Sequence, residues 1–260
     1  MTSEPQTLIA GSGGGARTIA YRTVKPRRNG APSVFWLSGF MSDMASTKAT
    51  ALAQFAAEKG LGATLFDYSG HGISGGEFKD GTIGRWLEEA EAVFTKVAEG
   101  DQIIVGSSMG GHIALLLLRK LMAERPGDAA RVKGMVLIAP AWDMTEELMW
   151  KKFPEEARRA IRETGVYMEP SDYDAPYMIT RALIEEGRSH LVAPDGFDPG
   201  RPVVILQGLE DKDVPAEHTR QLLHLLKGGR AELIEIADGE HRLSRPQDLD
   251  KLFAAVGRFA

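Results

Sequence analysis

The sequence predicts an α/β fold in which an eight-stranded, mostly parallel sheet carries helices on both faces. Short runs rich in β-branched and aromatic residues alternate with longer helical patterns, as strand–helix–strand units require. Most of these runs are apolar at consecutive positions, which is typical of strands that are covered on both faces. The length of 260 residues suits one α/β domain with an insertion.

The first two strands are expected to form an antiparallel hairpin at the sheet edge, because residues 7–10 and 17–23 flank a glycine-rich link at 11–15. Six further short apolar runs complete the eight strands: residues 33–37, 63–68, 102–105, 132–138, 203–207 and 232–236. Helical periodicity occupies the intervening and following segments: residues 47–59, 83–99, 109–124, 216–226 and 248–259.

The stretch after the sixth strand departs from this alternation, since residues 141–193 show no strand pattern. Two helix starts stand out there, at residues 143–146 and 153–156, and the second has proline and acidic residues in its first turn. We therefore predict a helical cap at residues 141–193, inserted into a core made of residues 1–140 and 194–260.

Composition excludes several function classes. A net charge of -5 argues against a nucleic-acid partner, and no run approaches the roughly 18 apolar residues of a membrane span. The absence of cysteine excludes disulfides, thiol nucleophiles and Cys-ligated zinc. The first ten residues lack a basic or an apolar segment, so we expect a cytoplasmic protein without a signal or transit peptide.

The strongest chemical signal is the motif VGSSMGG at residues 105–111, which follows an apolar strand and opens an apolar helix. A serine on such a sharp strand-to-helix turn needs neighbours without a Cβ, which Gly106 and Gly110 supply. A second G-x-S-x-G match centred on Ser74 lies within a loop, with no helix directly after it. Context and spacing therefore select Ser108 as the nucleophile over Ser74 and Ser107.

A serine nucleophile needs a base and a carboxylate that orients the base, in the chain order Ser, acid, His that accompanies this turn. Asp211 follows the strand that ends at residue 207, with Glu210 and Asp213 as its competitors. His241 lies just after the last strand and completes the set, whereas the other five histidines occupy helices, the cap or an earlier loop. We predict a Ser108–His241–Asp211 triad.

Two backbone N–H groups should form the oxyanion hole, one from Met109 and one from the loop after the third strand. In that loop Gly39 makes room for the turn, and Phe40 is the predicted donor with Met41 as the alternative. Substrate contacts are assigned to Gly39, Met41, Trp142 and Trp150. The cap is rich in methionine and aromatic residues, which suit an apolar ligand or simply pack the cap: Trp142, Met144, Leu148, Met149, Trp150, Phe153, Tyr167, Met168, Tyr173, Tyr177 and Met178.

The predicted chemistry is hydrolysis of esters or thioesters through an acyl-enzyme, with a small molecule or an acylated protein as substrate. No cofactor and no metal are expected. Two alternatives stay open: another reaction of the same triad, such as C–C hydrolysis, cofactor-free peroxidation or acyl transfer, and a non-catalytic ligand-binding role. Neither the natural substrate nor the oligomeric state can be predicted from the sequence.

Several blocks resemble the abhydrolase-domain-ten family of the α/β-hydrolase fold, and the resemblance spans about residues 17–258. The blocks are residues 37–44 (LSGFMSDM), 66–72 (FDYSGHG), 82–86 (TIGRW), 105–111 (VGSSMGG), 208–215 (GLEDKDVP) and 241–242 (HR). The resemblance implies an α/β hydrolase whose animal relatives are mitochondrial palmitoyl-protein thioesterases and hydrolyse acyl glucuronides, including that of mycophenolic acid. It also implies that Ser108, Asp211 and His241 form the triad of a bacterial relative, while the cap, where specificity resides, matches only loosely.

Overall fold

An eight-stranded sheet forms the centre of the computed structural model, which describes residues 4–170 and 176–260. The strands of the chain are β1 Gln6–Ala10, β2 Arg17–Val24, β3 Ser33–Leu37, β4 Gly62–Phe66, β5 Gln102–Ser107, β6 Val132–Ile138, β7 Val166–Glu169, β8 Tyr177–Thr180, β9 Val203–Gly208 and β10 Ala231–Ile236. The main sheet has the order β1-β2-β4-β3-β5-β6-β9-β10. β2 pairs antiparallel with both β1 and β4, and the remaining pairs are parallel. The predicted eight-stranded, mostly parallel sheet is confirmed.

Helices cover both faces of this sheet, as predicted. The α-helices are α1 Thr47–Glu58, α2 Ile83–Lys96, α3 Met109–Glu124, α4 Pro126–Ala130, α5 Glu155–Thr164, α6 Arg181–Gly187, α7 Ala216–Leu225 and α8 Pro246–Gly257. Along β3, Phe35 and Leu37 join the apolar core under α2 and α3, whereas Val34 and Trp36 join the core under α1 and α8. This alternation explains why the strand is apolar at every position.

The insertion between β6 and β9 contains helices, as predicted: a π-helix, Thr145–Trp150, precedes α5 and α6. It also contains a feature that the sequence pattern did not predict, a separate antiparallel ribbon formed by β7 and β8. Gly165, at a φ of 86°, ends α5 in the left-handed conformation and turns the chain into β7. The strands of the ribbon are only four residues long, too short for period-two alternation to stand out. Tyr173 of the sequence-derived cap set lies outside the described residues.

The two ends of the insertion meet at Asp143, whose backbone φ is 49°. Its carboxylate accepts the N–H groups of Val192 at 2.6 Å and Ala193 at 2.9 Å. His112 in α3 donates from Nε2 to the carbonyl of His190 at 2.9 Å. These bonds fasten the insertion to the nucleophile helix, although the exact division at residues 140 and 193 stays a prediction. No helix within the described residues is long and apolar enough to span a bilayer.

Candidate active site

The turn between β5 and α3 carries Ser108 in a strained backbone conformation, with φ 53° and ψ -120°. The turn is tight because a Cβ on Gly106 would lie 2.4 Å from the Gly110 carbonyl oxygen. A Cβ on Gly110 would lie 2.0 Å from the carbonyl oxygen of Leu37. Ser108 N–H donates to the Ile138 carbonyl at 2.8 Å, which anchors the turn to the neighbouring strand.

Three side chains from distant parts of the sequence meet beside this turn. His241, in the loop between β10 and α8, places Nε2 at 3.1 Å from Ser108 Oγ. Its Nδ1 lies 2.8 Å from Asp211 Oδ2, in the loop after β9. An ionised carboxylate only accepts, so Nδ1 carries the proton and Nε2 is left to accept the serine hydroxyl proton. The His241 side chain is 19% exposed and that of Asp211 is fully buried.

The buried carboxylate of Asp211 is held by several donors besides His241. Its Oδ1 accepts the N–H groups of Asp213 at 2.9 Å and Val214 at 2.8 Å. Gln207 Nε2 lies 3.3 Å from Oδ2, and Thr219 fixes that amide by donating to its oxygen at 2.6 Å. No sequence motif marks Gln207 or Thr219, because their contacts with the acid arise only when β9 and α7 pack together.

The competing serines have other surroundings. Ser74 Oγ donates to the Asp67 carbonyl at 2.7 Å and accepts the Ala20 N–H at 2.8 Å, so it ties its loop to the sheet. Ser107 is buried as the last residue of β5.

None of the competing acids and histidines replaces Asp211 or His241 in the line of hydrogen bonds to Ser108. Glu210 is exposed, and Asp213 is exposed at the cavity rim. Four other histidines hydrogen-bond to residues other than Ser108: His71 with Met41 and Ser69, His112 with His190, His190 with Glu186, and His218 with Trp142. The structure therefore brings only the selected serine, acid and histidine into one line among the residues compared.

Two backbone N–H groups are available next to Ser108. Met109 is the first residue of α3, and the first N–H groups of a helix have no acceptor within the helix. Among the described residues no protein acceptor lies in reach of Phe40 N–H, whereas Met41 N–H donates to His71 Nε2 at 3.2 Å. The geometry thus favours Phe40 over Met41 as the donor from the loop after β3.

A cavity of about 860 Å³ opens over Ser108 between the core and the insertion. One wall is apolar and comes mostly from the insertion: Phe40, Met144, Leu148, Met149, Phe153, Pro154, Tyr167 and Tyr177. Gly39 and Met41 also line the cavity, as predicted from the sequence. The size and lining suit an extended apolar group that reaches Ser108.

Charged residues also line the cavity and form its polar wall: Lys48, Lys152, Lys212 and Arg242 are cationic, and Glu169 and Asp213 are acidic. Burial, followed by the nearby charge of Arg242, lowers the pKa of Lys48 to about 8. The hydroxyl of Ser46, another residue of the cavity lining, is buried without a hydrogen-bond partner in the described part of the chain. An anionic or hydroxylated group of a ligand would find matching partners here.

Trp142 and Trp150 differ from the sequence prediction, because neither lines this cavity. Trp142 is 4% exposed, stacks on His218 at 4.4 Å and donates to the carbonyl of the same residue at 2.8 Å. Trp150 lies among the guanidinium groups of Arg158, Arg162 and Arg188, 5.1 to 6.0 Å from its ring. Aromatic content alone does not indicate which face of a cap helix meets the substrate.

Asp211, Asp213 and His241 are the one group of three side chains, within the described residues, whose possible metal-ligand atoms all lie within 4.8 Å of one another. His241 Nδ1 and Asp211 Oδ2 are 2.8 Å apart. Two ligands about 2.1 Å from a tetrahedral ion would be separated by more than about 3 Å. These groups are therefore spaced to share a proton rather than an ion.

The model of the alpha/beta hydrolase family matches residues 29–255 of this chain. The chain belongs to the alpha/beta hydrolase family. This α/β hydrolase is 29% identical over 244 residues to the Bos taurus "Palmitoyl-protein thioesterase ABHD10, mitochondrial", covering 92% of this chain and 75% of the relative. The resemblance to abhydrolase-domain-ten proteins is confirmed. A cytoplasmic location for this hydrolase stays a prediction.

Two solved structures extend the similarity of this hydrolase to its whole length. A putative hydrolase from Agrobacterium vitis S4 is 44% identical, with a TM-score of 0.95 and 98% coverage of both chains. The alpha/beta hydrolase domain-containing protein 10 from mouse is 27% identical, with a TM-score of 0.84 and the same coverage. Both similarities include the segment between β6 and β9, since almost the entire chain is covered.

Proposed function

We propose that this hydrolase cleaves carboxylic esters or acyl thioesters through an acyl-enzyme formed on Ser108. The observation that carries the proposal is the continuous line of hydrogen bonds from Asp211 through His241 to Ser108, with lengths of 2.8 and 3.1 Å. A base within hydrogen-bond reach of a hydroxyl, itself oriented by a carboxylate, is the arrangement that activates a serine nucleophile.

In the first half-reaction His241 Nε2 takes the hydroxyl proton while Ser108 Oγ attacks the acyl carbonyl carbon. The N–H groups of Phe40 and Met109 stabilise the resulting oxyanion. The bond from carbon to the leaving oxygen or sulfur then breaks. His241 returns its proton to the leaving group, and the acyl group stays on Ser108.

In the second half-reaction His241 accepts a proton from water, whose oxygen attacks the acyl-enzyme carbonyl. The ester bond to Ser108 breaks, the serine oxygen recovers the proton from His241, and the carboxylic acid departs. Asp211 orients His241 and stabilises the imidazolium, and its other oxygen accepts from two backbone N–H groups that hold the carboxylate in place.

The apolar and the charged residues of the cavity lining support a substrate that combines an acyl chain with a polar leaving group. The apolar wall fits a fatty acyl group, which agrees with the palmitoyl substrate in the name of the bovine relative. Lys48 and Arg242 on the polar wall suit a leaving group that carries a carboxylate, such as a glucuronate, or a polar segment of an acylated protein. A thiol, with a pKa near 8.5, leaves with less acid assistance than an alcohol.

A substrate panel tests the proposal. Acyl chains of two to sixteen carbons would be presented as p-nitrophenyl esters, as thioesters and as acyl glucuronides, and hydrolysis would be followed by release of the leaving group. We expect kcat/KM to rise with chain length and to fall at least about a thousandfold in Ser108→Ala, the residual rate coming from binding and the oxyanion hole. Thermal melting would show that this variant is folded.

Two results would contradict the proposal. One is a wild-type protein that hydrolyses none of the three substrate classes. The other is a folded Ser108→Ala variant that retains wild-type kcat/KM, which would place the chemistry on another residue.

A further inference from the structure

The oxyanion-hole loop that follows β3 is a tight turn with an unfavourable residue at its centre. Ser42 N–H donates to the Gly39 carbonyl at 3.1 Å, so Phe40 and Met41 occupy the two central positions. Met41 has a φ of 55°, a left-handed conformation that turns usually give to glycine. A residue with a Cβ pays about 1–2 kcal/mol for it. Something outside the turn must hold it in this form.

His71 supplies that restraint from the loop after β4. Its Nδ1 lies 3.1 Å from the Ser69 carbonyl, which can only accept, so Nδ1 carries a hydrogen. Its Nε2 lies 3.2 Å from Met41 N–H, which can only donate, so Nε2 presents a lone pair. Both bonds form together only in the neutral imidazole with its proton on Nδ1. Burial lowers the pKa of His71, which keeps this neutral form populated at pH 7.

The aromatic rings of Phe78 and Trp86 contact both His71 and the side chain of Phe40. The His71 ring packs edge-on against Phe78 and Trp86, with centroids 5.1 and 5.3 Å away. The Phe40 ring packs edge-on against the same two residues, at 5.0 and 6.0 Å. His71 is therefore linked to the turn through the Met41 backbone and, through shared neighbours, to the Phe40 side chain.

We propose that His71 is a positioning residue for the oxyanion hole: its Nε2 lone pair fixes the peptide between Phe40 and Met41 and so holds the turn that presents Phe40 N–H. The inference rests on the proposed serine hydrolase function. His71 touches no reacting atom in this scheme. Its loss should weaken stabilisation of the oxyanion while leaving ground-state binding of the substrate nearly unchanged.

The test compares His71→Phe, which keeps an aromatic ring but has no acceptor, with His71→Gln, which keeps one. Tyr68→Phe is the matched control, because Tyr68 is buried against His71, its hydroxyl has no partner in the described residues, and it does not bond to the turn. The measurements are kcat and KM for p-nitrophenyl butyrate and Ki for a trifluoromethyl ketone. This inhibitor adds the serine oxygen to its carbonyl and places an oxyanion in the hole.

We expect His71→Phe to lower kcat about 10- to 100-fold, somewhat less than removal of an oxyanion donor itself, with KM within about twofold. Ki should rise by a similar factor. His71→Gln should recover part of both losses, and Tyr68→Phe should remain within about twofold of the wild type. If His71→Phe does not fold, His71→Leu and His71→Gln provide the same comparison.

Wild-type kcat and Ki in a folded His71→Phe or His71→Leu variant would overturn the inference and leave the proposed function intact. Equal losses in the His71 variants and Tyr68→Phe would also overturn it, since they would indicate general disturbance of these aromatic contacts. A wild-type protein without esterase activity would overturn both proposals.

Discussion

In the proposed mechanism, Ser108 becomes reactive through the position of its hydroxyl rather than through an unusual side chain. Its left-handed backbone, at φ 53°, costs about 1–3 kcal/mol, which the rest of the fold must offset. In return the hydroxyl stands clear of the sheet, 3.1 Å from His241 Nε2, with the Met109 N–H at the start of α3 beside it. The strained backbone of Ser108 is thus what aligns its hydroxyl with His241 Nε2.

The charge of Lys48 is expected to favour substrates whose leaving group carries a carboxylate. Its ammonium is charged at pH 7 because its pKa is about 8, and it loses the charge as the pH rises through that value. Lys48→Met should raise KM for an ester with a carboxylate in its leaving group by about three- to tenfold at pH 7, the effect of a partly screened ion pair. KM for a neutral p-nitrophenyl ester should remain unchanged.

The difference between wild type and Lys48→Met should shrink at pH 9, where the wild-type amine is mostly neutral. Steady-state kinetics at pH 7 and pH 9 with both esters would measure this. A KM change of equal size for the neutral ester would show that Lys48 acts through packing instead of charge.

Sequence reasoning located the three residues that the structure aligns because each follows a strand at the same edge of the sheet. Ser108, Asp211 and His241 carry local signals in spacing and order. Gln207 and His71 carry none, since their contacts with Asp211 and Met41 exist only after packing. For Trp142 and Trp150 the prediction was wrong about the cavity. Trp142 lies in a turn before the π-helix and Trp150 is its last residue, so no helical periodicity shows which side of either residue faces the cavity.

At the scale of elements, the approach of α3 to β3 determines whether the turn can exist. Gly110 lies where the helix meets the end of that strand, and a Cβ there would lie 2.0 Å from the Leu37 carbonyl oxygen. The obstacle is backbone in the middle of the sheet, so it cannot move aside as a flexible side chain would. The glycine therefore sets how closely the nucleophile helix packs.

Gly110→Ala should lower the free energy of unfolding by about 3 kcal/mol, at the upper end of overpacking costs, and should abolish most activity. Urea denaturation and the butyrate assay would measure both effects. Gly127→Ala in α4 is the control, because a Cβ there meets no atom within 4 Å. It should change stability by less than about 1 kcal/mol. Equal stability of the two variants would contradict this account.

Apart from the five-residue α4, which was not predicted, the strands and helices of the core were predictable because parallel strands buried on both faces are uniformly apolar and their helices are long. Their predicted ends differ from the structure by three residues or fewer. The ribbon of β7 and β8 was not predictable, since its short strands pair across a segment whose periodicity is too brief to read. Its position depends on Gly165 ending α5 and on packing against Phe153.

At the scale of the whole molecule, the core carries the aligned serine, histidine and aspartate, and the insertion supplies most of the apolar wall of the cavity. Asp143 joins the two ends of the insertion to each other, and His112 joins them to α3 through its contacts with His190 and Asp143. These contacts hold the insertion against α3, which begins directly after Ser108. Substrate choice should accordingly depend on insertion residues that face the cavity, and little on those that face outward.

Leu148→Trp tests whether insertion residues that face the cavity determine acyl-chain preference, because Leu148 lines the apolar wall. The larger ring should fill space that a long acyl chain needs, lowering kcat/KM about tenfold for palmitoyl esters, a loss comparable to that of one or two buried methylenes. Acetyl and butyryl esters should remain within about threefold. Trp150→Leu, away from the cavity, should alter neither. If kcat/KM fell by the same factor for all acyl chain lengths, Leu148 would not line the site that binds the acyl chain.

Covalent labelling with a fluorophosphonate tests the central claim most directly, because the reagent reacts with an activated serine irrespective of the natural substrate. Intact-mass analysis and peptide mapping would be applied to the wild type and to Ser108→Ala. The account predicts one adduct, located on Ser108, and no adduct in the variant. An adduct on Ser74 or Ser107, or a folded wild-type protein that takes up no label, would contradict it.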